Sequence, residues 1–126
     1  PSDDSQKDTE ALREAFHSFA ELASRFPDSQ YTNDANQRMV YLRNTLSKHE
    51  IHVAEYYMER GAYVAAANRA KYVVENYQRT PSVADALVIM AKAYKTLDLE
   101  QLSDEALQVL RLNFPNHPGI SEVQNF

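Results

Sequence analysis

Apolar residues recur at three- and four-residue steps through nearly all of the 126-residue chain, and no stretch alternates apolar with polar as a half-buried strand does. That pattern commits the chain to amphipathic helices. Only two glycines, Gly61 and Gly119, interrupt it. Parallel α/β folds need glycines at turns and phosphate loops, so that architecture is excluded. The expected fold class is all-α, an α-solenoid of about five antiparallel helices, one of them extended.

The first segment places Leu12, Ala15, Phe16, Phe19, Leu22, Ala23 and Phe26 on one face. Asp8 is its expected N-cap and Pro27 its stop. A longer segment runs from about Thr32 to Arg60 along Ala35, Met39, Leu42, Leu46, Val53 and Tyr57, with Gly61 set for a left-handed C-cap. Nothing breaks it, so one helix of roughly 28 residues is expected, with room for a bend near His49 and Glu50. A third helix carries Tyr63, Ala66, Ala67, Ala70, Val73, Val74 and Tyr77. A fourth starts at Thr80-Pro81 and runs to Leu97. A fifth starts at Asp98, with Gln101 at capping-box spacing, and runs through Leu102, Ala106 and Leu110 to Asn113. Residues 1–7 are expected as a disordered tail, 8–114 as the domain and 115–126 as a fraying tail.

These helices repeat. Phe26-Pro27, Tyr77-Gln78 and Phe114-Pro115 open three related stretches, at offsets of 51 and 37 residues. The shorter offset is close to the ~34-residue period of tetratricopeptide (TPR) repeats, and the longer adds about four helical turns. Tyr57, Gly61, Tyr63, Ala66 and Val73 fall at TPR-like positions, answered 37 residues later by Tyr94, Asp98, Glu100, Ser103 and Leu110. Asp98 thus stands where the turn glycine belongs. The first helix matches the second helix of a repeat, which implies a truncated first repeat within a longer solenoid.

Composition narrows the function classes. Thirteen Lys and Arg against 18 Asp and Glu leave a formal charge of −5, contrary to a phosphate-tracking nucleic-acid binder. The chain has no Cys, so disulfides, thiolate zinc sites and thiol nucleophiles are excluded within it. No apolar run is long enough to span a bilayer. No nucleophile elbow, phosphate loop or paired carboxylate motif supports an enzyme, and no cofactor is expected. A glycan-processing helical enzyme would need a carboxylate pair that the sequence does not offer.

At finer grain the sequence resembles the BamD family, TPR lipoproteins of the outer-membrane β-barrel assembly machinery. The resemblance is carried by Ser29-Gln30-Tyr31-Thr32-Asn33-Asp34-Ala35, by Val53-Ala54-Glu55-Tyr56-Tyr57, by the stretch from Glu59 to Arg69, and by the overlong helix between repeats. It covers roughly residues 8 to 115 and corresponds to the C-terminal half of the family. It implies a non-enzymatic scaffold on the periplasmic face of the outer membrane, anchored by a lipidated cysteine outside this chain. It implies docking of the POTRA domain of BamA and attachment of BamC- and BamE-type lipoproteins, with unfolded outer-membrane protein segments recognised chiefly by N-terminal repeats of the family that this chain lacks.

The third helix is the surface to examine first. Ala62, Ala65, Ala66, Ala67 and Ala70 give it low relief, and Arg69 offers five donors to a partner carboxylate. Tyr63, Asn68, Arg69 and Tyr72 are the candidate partner-binding residues, with Tyr63 and Tyr72 taken as near neighbours; the competing reading has the alanines packing inward and Arg69 solvated. A second candidate is a groove that captures short peptide termini, with Tyr31, Arg38 and Tyr41 on the extended helix. His49, His52 and Glu55 are a weak start for a metal site, having neither Cys nor the metalloprotease spacing, so no metal is expected.

Overall fold

A computed structural model describes residues 2–28 and 30–126, and the side chains of 9–28 and 31–126. Ser29 of the family-like motif and Pro1 lie outside the described residues. Six helices and no strand appear among those described: α1 (Ser2–Arg25), α2 (Gln30–Glu59), α3 (Tyr63–Asn76), α4 (Ser82–Thr96), α5 (Glu100–Asn113) and α6 (Gly119–Gln124). The chain divides between His49 and Glu50, inside α2, into two units.

In the first unit α1 starts at Ser2 rather than Asp8. Residues 2–7 are helical, contrary to the expected tail. Neither Pro nor Gly falls among them to interrupt the helix. Asp8 is therefore interior to α1 and not its cap; its side chain is outside the described ones. The α1 stripe of Leu12, Phe16 and Phe19 is only half-buried. After Pro27 the chain turns, and the Thr32 hydroxyl donates to the Phe26 carbonyl, tying the end of α1 to the start of α2. Helical hydrogen bonding runs through all 30 residues of α2.

The second unit is built on the 37-residue period. α2 ends at Glu59 and α4 at Thr96; α3 starts at Tyr63 and α5 at Glu100; α4 starts at Ser82 and α6 at Gly119. Each pair differs by that one offset. The turns match as well. Gly61 has φ +75° after α2, and Asp98 has φ +60° after α4. The Ala62 amide donates to the Tyr57 carbonyl at 2.9 Å, and the Leu99 amide to the Tyr94 carbonyl at 2.8 Å. Asp98 is thus a turn residue, and the expected capping box with Gln101 is not formed; Leu99 is the N-cap of α5 and makes no side-chain cap. Similarly, Pro81 precedes α4 as its N-cap rather than entering it.

α4 is the central element, packed by α3, α5 and α6. Ala84, Leu87, Val88 and Ala91 from α4 meet Ala106 and Leu110 from α5 and Val123 from α6 in one core. Burying a Leu or Val of this kind contributes about 1.5–3 kcal/mol. The small side chain of Ser103 lets α5 approach α4 closely, and its hydroxyl donates to the Ala91 carbonyl at 2.8 Å. The last stretch is not a fraying tail. Val123 is buried, Lys95 Nζ donates to its carbonyl at 3.0 Å, and Gly119 sits so close to Val88 that no side chain fits. α6 is the first helix of a further repeat copy, and its six residues are held by this core. Leu102, expected on the buried stripe of α5, is exposed instead.

Candidate partner-docking surface

α3 shows two faces. Ala66, Ala67, Ala70 and Val73 point inward and are buried, so most of the alanines serve helix packing rather than a low-relief outer surface. The opposite side carries Ala65, Asn68, Arg69 and Tyr72, which with Tyr57 of α2 line an open hollow of about 340 Å³. Tyr63 does not line it. Tyr63 and Tyr72 are nine residues apart, which at 3.6 residues per turn puts them on opposite sides of α3, about 13 Å apart along the axis. Tyr72 instead meets Tyr77 edge-on, with ring centroids 5.9 Å apart.

Arg69 is neither free nor simply solvated. Its Nη1 donates to Glu50 Oε2 at 2.9 Å; the Glu50 side chain is 3% exposed and that of Arg69 40%. Glu50 stands on the α2 stripe between Leu46 and Ala54, where a carboxylate requires a partner. Burial lowers the Arg69 pKa, but the hydrogen bond and charge of Glu50, followed by those of Tyr57, outweigh it and raise the pKa above the ordinary value. The guanidinium is a fixed charge. One of its five donors is engaged with Glu50 at this distance, and its exposed part borders the hollow. The site therefore offers a permanent cation, an amide at Asn68 and a phenol at Tyr72 on one helix face.

Tyr31, Arg38 and Tyr41 form an exposed strip along α2 in the first unit, the two tyrosines being 63% and 68% exposed. None of them lines the hollow that opens in the second unit between the end of α2, α4 and α6. That hollow is rimmed by carboxylates, the wrong sign for clamping a peptide's terminal carboxylate. Among the described residues no group of three His, Asp or Glu is placed to hold a metal ion, and no described helix is long and apolar enough to cross a membrane.

The family model described as YfiO, outer membrane lipoprotein, matches residues 2–110. The chain is 51% identical over 119 residues to the outer membrane protein assembly factor BamD of Neisseria gonorrhoeae, covering 94% of this chain and 45% of that protein. It is 40% identical over 116 residues to the BamD of Xylella fastidiosa strain Temecula1, covering 92% and 40%. It is 33% identical over 111 residues to the BamD of Haemophilus influenzae, covering 88% and 42%. The chain spans less than half the length of these relatives.

Proposed function

Because the chain belongs to the YfiO family of outer membrane lipoproteins, we propose that it is the docking portion of a non-enzymatic scaffold for outer membrane protein assembly. It works on the periplasmic face of that membrane, and the outer face of α3 holds the POTRA domain of the barrel protein BamA. The mechanism is positional. Repeats stacked on α4 keep the α3 face rigid, so little conformational entropy is lost when a partner docks. BamC- and BamE-type lipoproteins, and segments of unfolded outer-membrane proteins, take other faces of the longer protein.

The observation that carries this reading is the convergence of Asn68, Arg69 and Tyr72 on one hollow. Arg and Tyr are the residue types that concentrate binding energy at interfaces. Arg69 can accept a partner carboxylate without releasing Glu50, because a guanidinium has more donors than one carboxylate uses. Calorimetric titration of the POTRA region into the protein tests it. Tyr72→Ala should weaken binding by roughly tenfold or more, as loss of a hot-spot aromatic does. Asn68→Ala should weaken it by a smaller factor. Unchanged affinity in both variants removes the α3 face from the interface.

A further inference from the structure

The hollow between α2, α4 and α6 is lined by apolar and acidic groups together. Met58, Ile89 and the half-exposed Phe126 supply apolar lining in a space of about 460 Å³, within the ~300–1,000 Å³ range of ligand clefts. Glu55 and Glu59, one turn apart on α2, stand exposed on its rim and make no ion pair with any described residue. Asp85 and Glu122 add two more carboxylates across from them.

The cations present do not cancel this charge. Among the described residues of the lining Lys92 is the only Lys or Arg, and it is already engaged, with Nζ 3.6 Å from Glu122 Oε2 and 5.6 Å from the centroid of the Phe126 ring. His117 is held on both sides: its Nδ1 accepts the Gly119 amide at 2.9 Å, and its Nε2 lies 3.5 Å from Asp85 Oδ1. The hollow is therefore an apolar slot with an uncompensated negative rim, and Glu55 and Glu59 are its free acceptors.

We infer that this hollow docks a short segment of a partner protein in which one bulky apolar side chain is flanked by Lys or Arg. The apolar side chain lies over Met58, Ile89 and Phe126, and the flanking cations reach Glu55 and Glu59. This surface lies apart from the α3 face and shares no residue with it, so either reading can fail without the other.

The test is a titration of three acetylated and amidated peptides into the protein, followed by NMR of the Met58 and Ile89 methyl groups. The peptides are Lys-Lys-Phe-Ser-Lys, its acidic counterpart Glu-Glu-Phe-Ser-Glu, and Lys-Lys-Ser-Ser-Lys. The first should produce saturable shifts at both methyls below about 1 mM, weakening as salt is raised. The other two should bind more weakly. Glu55→Gln with Glu59→Gln, both at exposed positions, should reduce affinity for the first peptide about three- to tenfold, as expected for two rim ion pairs. The proposal is overturned by absence of saturable shifts up to that concentration. Equal binding of either control peptide, or unchanged affinity in the double variant, overturns it too.

Discussion

The guanidinium of Arg69 on α3 reaches the carboxylate of Glu50 on α2 at 2.9 Å, and Glu50 is almost wholly out of water. The residue best suited to meet a partner is thus also the one that neutralises a buried charge. Arg69→Glu would place two carboxylates together and confound docking with unfolding. Arg69→Met removes the guanidinium that faces the buried Glu50 carboxylate and should destabilise the protein by about 2–3 kcal/mol, below the full cost of breaking a buried pair because Arg69 is partly exposed. Adding Glu50→Gln should recover part of that loss. Urea unfolding of the four proteins of this cycle measures the coupling, and strict additivity would show that the pair contributes nothing.

The same pair fixes a pH expectation. The Arg69 pKa is raised in the folded protein, burial lowering it but Glu50 and Tyr57 raising it more. A raised value means its stabilising contribution is complete below the unfolded pKa and is lost only as pH climbs through the folded one. Both lie far into the alkaline range. The stability gap between the wild-type protein and Arg69→Met should therefore be the same at about pH 7 and about pH 9; a gap that closes by pH 9 would contradict it.

Gly61 and Asp98 occupy equivalent turns with φ +75° and +60°. Nothing lies within 4 Å of a Cβ added at Gly61, so Gly61→Ala should be destabilising by about 1 kcal/mol through backbone strain alone. Asp98→Gly should be stabilising by up to about 1 kcal/mol, relieving the same strain where the repeat lacks its glycine. Thermal melts of the two variants should shift in opposite directions. Shifts of the same sign would mean that the two turns are not equivalent.

Gly119→Ala should loosen α6, since the added Cβ would lie 2.2 Å from Val88 Cγ2 and 2.8 Å from His117 Nδ1. Overpacking of this kind costs about 1–3 kcal/mol. Amide hydrogen exchange over residues 119–124 should accelerate more than over α4. Equal protection in variant and wild type would place α6 outside the cooperative core.

Much of this fold was legible because period and repeat reinforce each other. Ala66, Ala70, Val73, Leu87, Ala91 and Leu110 were readable as core from three- and four-residue spacing. α6 was not, because six residues show no period. Its signal was Pro118, one repeat offset after Pro81, with both residues serving as N-caps. Asp98 carried two conflicting signals, capping-box spacing and the place of Gly61 in the repeat, and the repeat prevailed. The Glu50–Arg69 pair joins residues 19 apart on two helices, a relationship no local pattern encodes. Its trace was a lone carboxylate at four-residue steps from Leu46 and Ala54. Asn68, Arg69 and Tyr72 of the candidate docking surface line one hollow, whereas helical geometry separates Tyr63 from them.

The central claim is that the outer face of α3 meets the POTRA domain in the assembled machinery. Photo-crosslinking in living cells tests it most directly, with a photoreactive residue in place of Asn68 in the full-length protein and, separately, in place of the exposed Gln108 of α5. An adduct with BamA from position 68 and none from position 108 is the predicted result. No BamA adduct from position 68, with one from position 108, would contradict it.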